Sequence, residues 1–256
     1  MLFTRMTFIG IDPTAGKRPI AYAALDDSLQ LLALGEGSLD DVVAFTAGQQ
    51  HAYVAISAPR QPNMGIMAKP EIRQALSPAP TPGRWTNFRL CEYLLRQHNL
   101  HIPRTPGKDE QAPNWMQMSY HLYRRLDGLG YLPLGRQALE RSTLEVYPHA
   151  CFSAMLGIIP FHKATLEGRL QRQLVLFDAD LQIPDPMHFF EEITRSRLLR
   201  GVLPADILYT CAELDALVAA YTAWKCARHP DQVSVFGDID EGEIFIPIQN
   251  LKQRYS

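Results

Sequence analysis

The stretch TFIGIDPTAGKRP, residues 7–19, decides how this sequence is interpreted. It holds an apolar run that ends in a carboxylate, Asp12, and a second apolar run over 19–25 follows after one short turn. This pattern predicts two antiparallel strands, with Gly10 and Gly16 supplying the backbone freedom that a turn and a close approach require. Asp12 then either closes the turn through its side chain or holds a divalent metal at the carboxyl end of a central strand, where open α/β sheets collect their ligands.

Composition places the chain among globular proteins that need no disulfide or structural metal. Its 256 residues carry a formal net charge of -2, and its four cysteines have no CxxC spacing, so neither a zinc knuckle nor a redox pair is indicated. The charge gives no argument for obligate nucleic-acid clamping, although it does not exclude a nuclease. No apolar run is long enough to span a membrane, and no signal peptide is evident. We therefore expect one domain over 1–256 in a soluble, cytoplasmic protein.

Hydrophobic periodicity and chain breakers predict the order βββαβ for the first part of the chain. A third strand is expected over 29–36, a helix from 38 or 39 to about 49, and a fourth strand over 51–58 beside the first. The following segment, 59–83, carries six prolines, which restrict regular elements there to short ones. We interpret it as an excursion over the edge of the sheet.

The rest of the chain is predicted to consist of helices with two further β segments. Strands are expected over 141–148 and in a terminal hairpin around 238–242, and helices over 85–98, 114–129, 149–156, 163–178, 187–199 and 208–228. The helices at about 160–202 are rich in arginine and form an accessory helical region.

Three acids stand in apolar sequence surroundings: Asp12, Glu145 and Asp215. Asp215 is predicted on the face of a helix that packs against the sheet, where an unpaired ionised carboxylate costs several kcal/mol. It is therefore neutral, bound to a cation or paired, and a buried arginine is the simplest partner. Two carboxylates about 4 Å apart repel each other by roughly 4 kcal/mol at an effective dielectric of 20. Oxygen ligands of this kind select Mg²⁺ or Mn²⁺, ions that activate water in phosphodiester hydrolysis.

Six short segments together resemble the domain-of-unknown-function family 429, whose members are described as predicted nucleases of ribonuclease H-like (RNase H-like) fold. The resemblance covers most of the chain, in order. The segments are GIDPT at 10–14, VAISAP at 54–59, GRWTNFRLCEYLL at 83–95, LEVYPHACFSAML at 144–156, ELDALVAAYTAW at 213–224 and GEIFIPI at 242–248.

The resemblance implies an α/β, three-layer RNase H-like fold: a five-stranded mixed sheet of order 3-2-1-4-5 with helical insertions. It also implies metal-binding, catalytic acids on strand one, strand four and a late helix. Asp12 matches the first and Asp215 the last, but Ser57 stands where the family pattern has an acid before Ala-Pro. Either Glu145 from the next strand completes the metal site, or this member binds its ligand without cutting it.

Further residues are candidates for substrate contact or proton transfer. We assign substrate contacts to Thr14 and Lys17 in the first turn and to Arg89, whose alternative is a solvated helix surface. His149 is a candidate general base or a helix-start residue. Glu213 is a candidate spare ligand or an ordinary surface residue of its helix.

Two other functions compete with a metal-dependent nuclease that acts on nucleic acid or a nucleotide. GIDPTAGK is not a Walker A loop, because five residues separate Gly10 from Gly16 and no Ser or Thr follows Lys17. It resembles the first phosphate segment of the actin and sugar-kinase superfamily, which makes a small-molecule kinase the second hypothesis, although no second copy of the sheet is found. The third hypothesis is a non-catalytic binding protein, which the Ser57 departure favours.

Overall fold

The computed structural model describes residues 6–14, 18–135 and 140–256. Its described strands are β1 Thr7–Asp12, β2 Ile20–Leu25, β3 Leu31–Gly37, β4 Ala52–Ile56, β5 Leu132–Pro133, β6 Arg141–Val146, β7 Ser234–Asp238 and β8 Gly242–Ile246. Its described α-helices are α1 Leu39–Ala47, α2 Pro70–Ala75, α3 Leu90–Gln97, α4 Asn114–Gly128, α5 Pro148–Leu156, α6 Leu166–Phe177, α7 His188–Glu191, α8 Arg195–Leu199 and α9 Cys211–Arg228.

The strands form one mixed sheet in the order β3-β2-β1-β4-β6-β8-β7, with the short β5 also paired to β6. The prediction of five strands is wrong, because the described residues already contribute eight strands to the sheet. The terminal hairpin extends it: β8 pairs in parallel with β6 at only two residues, Glu145 and Val146. The predicted strands 3, 2, 1, 4 and the strand at Arg141–Val146 do lie side by side in the predicted order.

Helices cover both faces of the sheet. One core holds side chains of α1 and α4 against Ile9 and Ile11 of β1, and the other holds α3, α5, α6 and α9 against Phe8 and Ala55. Successive side chains of a strand point to opposite faces, so β1 contributes alternate residues to the two cores. The result is a mixed α/β protein in which the central strand β1 is buried on both sides.

The helix α9 lies directly on β1. Thr210 and Glu213 form a capping box that fixes its start. Its contact with the sheet is so close that a Cβ on Gly10 would stand 1.9 Å from the Ala216 carbonyl oxygen and 2.3 Å from the Ala220 nitrogen. This contact sets the position of the helix relative to the end of β1.

We expect Gly10→Ala to lower the free energy of unfolding by about 1–3 kcal/mol, the usual cost of overpacking a core. Both nearby atoms are backbone atoms, so relief requires that α9 itself moves. Urea unfolding measures the loss. Gly128→Ala in α4 is the control: no atom lies within 4 Å of its added Cβ, and a helical Gly to Ala change stabilises. Equal midpoints for the two variants would contradict the close contact.

The segment after β4 has only short regular elements, as its prolines predict. It contains a single 3-10 turn, Ile66–Ala68, and the six-residue α2. The helix predicted over 85–98 begins later, at Leu90, since Arg89 is extended and the backbone of Trp85 is left-handed, with φ +67°.

The accessory region differs from its prediction in one respect. The helix expected over 187–199 is two short helices, α7 and α8, with a break between them. Among the described residues, no helix has both the length and the apolar character needed to cross a bilayer.

Candidate functional site

Asp12 ends β1 and lies on the face of the sheet that α9 covers. The strand β4 runs parallel to β1 with Ile11 opposite Ile56, which brings Ser57 beside Asp12. The Ser57 hydroxyl donates to the Ile11 carbonyl at 3.0 Å and approaches Asp12 Oδ1 at 3.3 Å. Ser57, which stands where the resemblance implies an acid, therefore does neighbour Asp12 and supplies a neutral hydroxyl.

Asp215 lies in the second turn of α9, on the buried side of the helix. It is next to Ala216, which contacts Gly10, and Gly10 and Asp12 are on the same face of β1. Its side chain is only 7% exposed, and its Oδ2 accepts a hydrogen bond of 2.6 Å from Lys163 Nζ, whose side chain is 54% exposed. The partner of Asp215 is thus a lysine that reaches in from the surface, where the sequence suggested an arginine.

The two carboxyl groups influence each other electrostatically. Burial and, second, the charge of Asp215 raise the pKa of Asp12 to about 7, against the opposing effects of Lys163, the Thr14 backbone N–H and Ser57. Burial also raises the pKa of Asp215, and Lys163 opposes that rise. Burial alone lowers the pKa of Lys163, but attraction to Asp215 and to Asp12 outweighs this, so its pKa is raised. Asp12 and Asp215 therefore share the ammonium of Lys163, and ionisation of Asp12 is opposed by burial and by the charge of Asp215.

The segment that carries Lys163 is held by its backbone. Cys211 Sγ contacts the Lys163 carbonyl oxygen at 2.9 Å, and Arg172 Nη1 donates to the Phe161 carbonyl oxygen at 2.8 Å. These contacts fix the start of the Lys163 side chain beside the first turn of α9. The backbone of Lys163 is therefore placed where its side chain can reach Asp215.

Glu145 is on the opposite face of the sheet from Asp12 and Asp215. Its neighbours Leu144 and Val146 pack in the core beneath α9, so the alternation of strand side chains turns Glu145 the other way. The structure does not bring the three predicted acids together. Among the described residues there is also no group of three or more His, Cys, Asp or Glu that could hold a metal ion.

Glu145 instead pairs with Arg89 in a buried charge cluster. Arg89 donates from Nη1 and Nη2 to the two Glu145 oxygens at 2.9 and 2.5 Å, and from Nε to Glu92 Oε1 at 3.0 Å. Arg89 is fully buried, so it neither decorates a solvated helix surface nor lies open to a substrate. The substrate contact assigned to Arg89 is replaced by a structural one.

A further buried acid, Glu241, anchors the proline-rich segment to the hairpin of β7 and β8. Its carboxylate accepts backbone N–H groups of Met64 and Ile66 at 3.2 Å each and of Leu90 at 2.9 Å. No sequence pattern singles out Glu241, Glu92 or Lys163. Each of them acts through a partner distant in sequence or through the start of α3, and local sequence context does not encode such a partner.

A comparison with protein-family models gives one match, over residues 10–241, to the family described as "Protein of unknown function (DUF429)". The match covers most of the chain, including Asp12, Asp215 and Lys163. The chain belongs to this family. Among curated proteins and among solved structures, no match to the chain was found.

The remaining predicted site residues of this DUF429 protein are Thr14, Glu213, His149 and Lys17. The Thr14 hydroxyl donates to the carbonyl oxygens of Arg18 and Pro19 at 2.9 and 3.2 Å and so closes the first turn. Glu213 completes the capping box of α9. His149 lies in the first turn of α5, where burial and then nearby cations lower its pKa. Lys17 lies outside the described residues.

Proposed function

We propose that this DUF429 protein is a divalent-metal-dependent phosphodiester hydrolase of RNase H-like fold, with Asp12 and Asp215 as its metal ligands. The observation that carries the proposal is the pair of electrostatically coupled carboxyls on the α9 side of the central strand, one of which has its pKa raised to about 7 by burial and by the other. The strand order β3-β2-β1-β4-β6, with α9 across β1, supports the fold assignment.

The donors fit one magnesium or manganese ion and do not fit two. Mg²⁺ keeps several waters and binds through one or two carboxylates plus phosphate oxygens of the substrate. In this protein, Asp12 and Asp215 would supply the two carboxylates. Ser57 contributes a neutral hydroxyl beside Asp12. A second ion would need a further carboxylate on this face, and Glu145 is turned to the other face. A bound ion supplies Lewis acidity and lowers the pKa of its water.

The protein's own groups have separate roles in this proposal. Asp12 and Asp215 would hold the ion, and because the pKa of Asp12 in the metal-free protein is about 7, binding of the ion near neutral pH releases a proton from Asp12. Lys163 Nζ balances Asp215 in the metal-free protein, and its half-exposed side chain can turn outward to a substrate phosphate when an ion takes its place. The lysine is therefore both a stand-in for the cation and a phosphate ligand.

One observation favours the non-catalytic alternative. The ion pair between Lys163 and Asp215 already supplies a positive charge to the site. In that alternative, Lys163 is a permanent counter-ion, and the protein keeps the sheet and binds a partner without cutting it.

Calorimetric titration with Mn²⁺ tests the metal site. We expect the wild type to bind and the double variant Asp12→Asn, Asp215→Asn to bind at least hundredfold more weakly, about 2.7 kcal/mol, because both charged ligands are gone. The control variant Asp206→Asn, Asp231→Asn removes two exposed carboxylates and should leave binding unchanged. Equally weak binding by the wild type and the site variant would exclude the metal site.

Lys163→Met separates the two functions in the same assay. If Lys163 holds the place of a cation, the variant binds Mn²⁺ about tenfold more tightly, whereas Lys163→Arg, which keeps the charge, does not. If Lys163 is a permanent counter-ion, the variant loses stability and still binds no Mn²⁺. Cleavage of an oligonucleotide with Mn²⁺, abolished by Asp12→Asn, would complete the assignment.

A further inference from the structure

Positive charge is concentrated in one segment of the chain. Residues 60–108 contain eight Lys and Arg but only two Asp and Glu, a formal charge of +6, and an acidic pair, Asp109 and Glu110, follows directly. The rest of the chain has 17 Lys and Arg and 25 Asp and Glu, a formal charge of -8. Such asymmetry within a chain of nearly zero net charge points to an interaction surface for a polyanion.

Part of this positive charge is used inside the protein, and part is not. Arg89 is paired with Glu145 and Glu92 in the buried charge cluster. Four other cations are exposed, and none pairs with a carboxylate of the described residues: Lys69, Arg84, Arg104 and Lys108. Exposed cations without an internal partner are free to contact phosphate groups.

Aromatic side chains lie among these cations. The rings of Trp85 and Phe88 meet edge to face with centroids 5.1 Å apart. The Arg96 guanidinium lies over both, 5.5 Å from the Trp85 ring and 5.2 Å from the Phe88 ring, and its buried Nε has no hydrogen-bond partner among the described residues. Both rings keep some exposure to solvent. The three side chains thus form a fixed and partly exposed stack.

The cations and the stack belong to one surface. Asn63 joins the two chain segments that carry them, because its side-chain amide donates to the Asn87 carbonyl oxygen at 2.9 Å and its backbone N–H to the Pro106 carbonyl oxygen at 3.0 Å. Asn87 follows Arg84 and Trp85 closely in the chain, and Pro106 lies between Arg104 and Lys108. The segment leaves the sheet at Ser57, directly beside Asp12.

We infer that this basic aromatic surface, formed by Arg84, Trp85, Phe88, Arg96, Arg104 and Lys108, binds single-stranded nucleic acid. Cations along the surface attract the phosphates, and a base stacks on the exposed part of the Trp85 ring, as in proteins that bind single strands without sequence preference. Bases in a duplex are already stacked on each other and are not available to the ring. That this surface holds the substrate for cleavage rests on the proposed function, whereas the binding itself does not.

The test is fluorescence anisotropy with a labelled 20-nucleotide oligothymidylate in EDTA, so that no metal takes part. We expect the triple variant Arg84→Glu, Arg104→Glu, Lys108→Glu to bind at least tenfold more weakly. Its salt dependence, log Kd against log salt, should have a slope smaller by about 2, since each phosphate contact to a single strand contributes about 0.7. The control Arg195→Glu, Arg200→Glu, Arg254→Glu makes the same charge change at exposed positions elsewhere and should stay within twofold of the wild type. Equal losses in both triples would overturn the proposal.

Base stacking on Trp85 is tested by a separate set of variants. Trp85→Leu should weaken binding of the oligonucleotide several-fold but leave heparin, a polyanion without bases, unaffected, and Trp85→Tyr should retain most of the affinity. Melting temperatures verify that these variants fold. Unchanged binding by Trp85→Leu, or a duplex bound as tightly as the single strand, would overturn the inference.

The variant Asp12→Asn, Asp215→Asn distinguishes this inference from the proposed function. If it binds the oligonucleotide as the wild type does, the surface stands whether or not the protein cleaves. Loss of binding in this variant would place the nucleic acid at the carboxyls and overturn the assignment of the surface.

Discussion

Replacing Arg89 with methionine is expected to lower the free energy of unfolding by about 3–5 kcal/mol, the usual cost of removing one partner of a buried ion pair. The guanidinium is fully buried and donates three hydrogen bonds to Glu145 and Glu92. Methionine fills a similar volume but leaves two carboxylates without their cation. The loss therefore comes from uncompensated charge and not from a cavity.

Urea unfolding of Arg89→Met and Arg60→Met provides the measurement and its control. Arg60 also pairs with an acid, Asp127, but that side chain is 41% exposed, so its ion pair is worth about 1 kcal/mol or less. A loss for Arg89→Met no larger than that for Arg60→Met would show that the buried cluster contributes little to stability.

The defect of Arg89→Met is expected to be larger at pH 8 than at pH 5. Burial already raises the pKa of Glu92, and Arg89 opposes that rise, so its removal raises the pKa further. A carboxyl whose pKa is higher in the folded than in the unfolded state contributes stability at low pH that is lost as the pH rises through the folded value. A pH-independent defect would mean that the acids find other partners.

Sequence patterns predict the half of the site that lies on one strand and one helix. Asp12 follows a clear apolar run, and the spacing of apolar residues around Asp215 shows which side of its helix packs on the sheet. Both are consequences of local periodicity, which sequence encodes directly.

The rest of the site depends on pairing that local periodicity does not contain. Glu145 alternates with Leu144 and Val146 as predicted, but which face of the sheet lies under α9 is decided by register between strands. Lys163 comes from a loop 52 residues before Asp215, and a flexible side chain in a loop has no periodic signal. In the sequence, Arg89 resembles a surface residue of an amphipathic helix. In the structure, the extended backbone before α3 turns its side chain inward.

The metal-free wild type is expected to lose stability as the pH rises from about 4 to about 7, and Asp12→Asn is expected not to. The folded pKa of Asp12 is about 7, against 3.8 for an ordinary aspartate, so the folded state holds the proton more tightly. The stabilisation is complete below the unfolded pKa and is gone above the folded one. At about 1.4 kcal/mol per unit, the shift amounts to roughly 4 kcal/mol, and the part of Asp12 that meets water reduces it.

Chemical denaturation at pH 4, 5, 6, 7 and 8 in EDTA measures this effect. The difference in unfolding free energy, Asp12→Asn minus wild type, isolates Asp12 from other titrating groups and should grow across this range and then level off. Asp206→Asn, at an exposed position, is the control, and its difference should stay flat. Parallel curves for the wild type and Asp12→Asn would show that Asp12 ionises normally and that the two carboxyls do not strain each other.

Adding Mn²⁺ at pH 8 completes this prediction. A ligand that binds only the folded state stabilises it by about 2.7 kcal/mol when present at a hundred times its Kd. If the charge that destabilises the wild type at pH 8 is the charge that binds the ion, Mn²⁺ should restore the lost stability in the wild type and have no effect on Asp12→Asn. Stabilisation of both proteins to the same extent would place the ion elsewhere, and the strain between Asp12 and Asp215 would then be relieved by Lys163 alone.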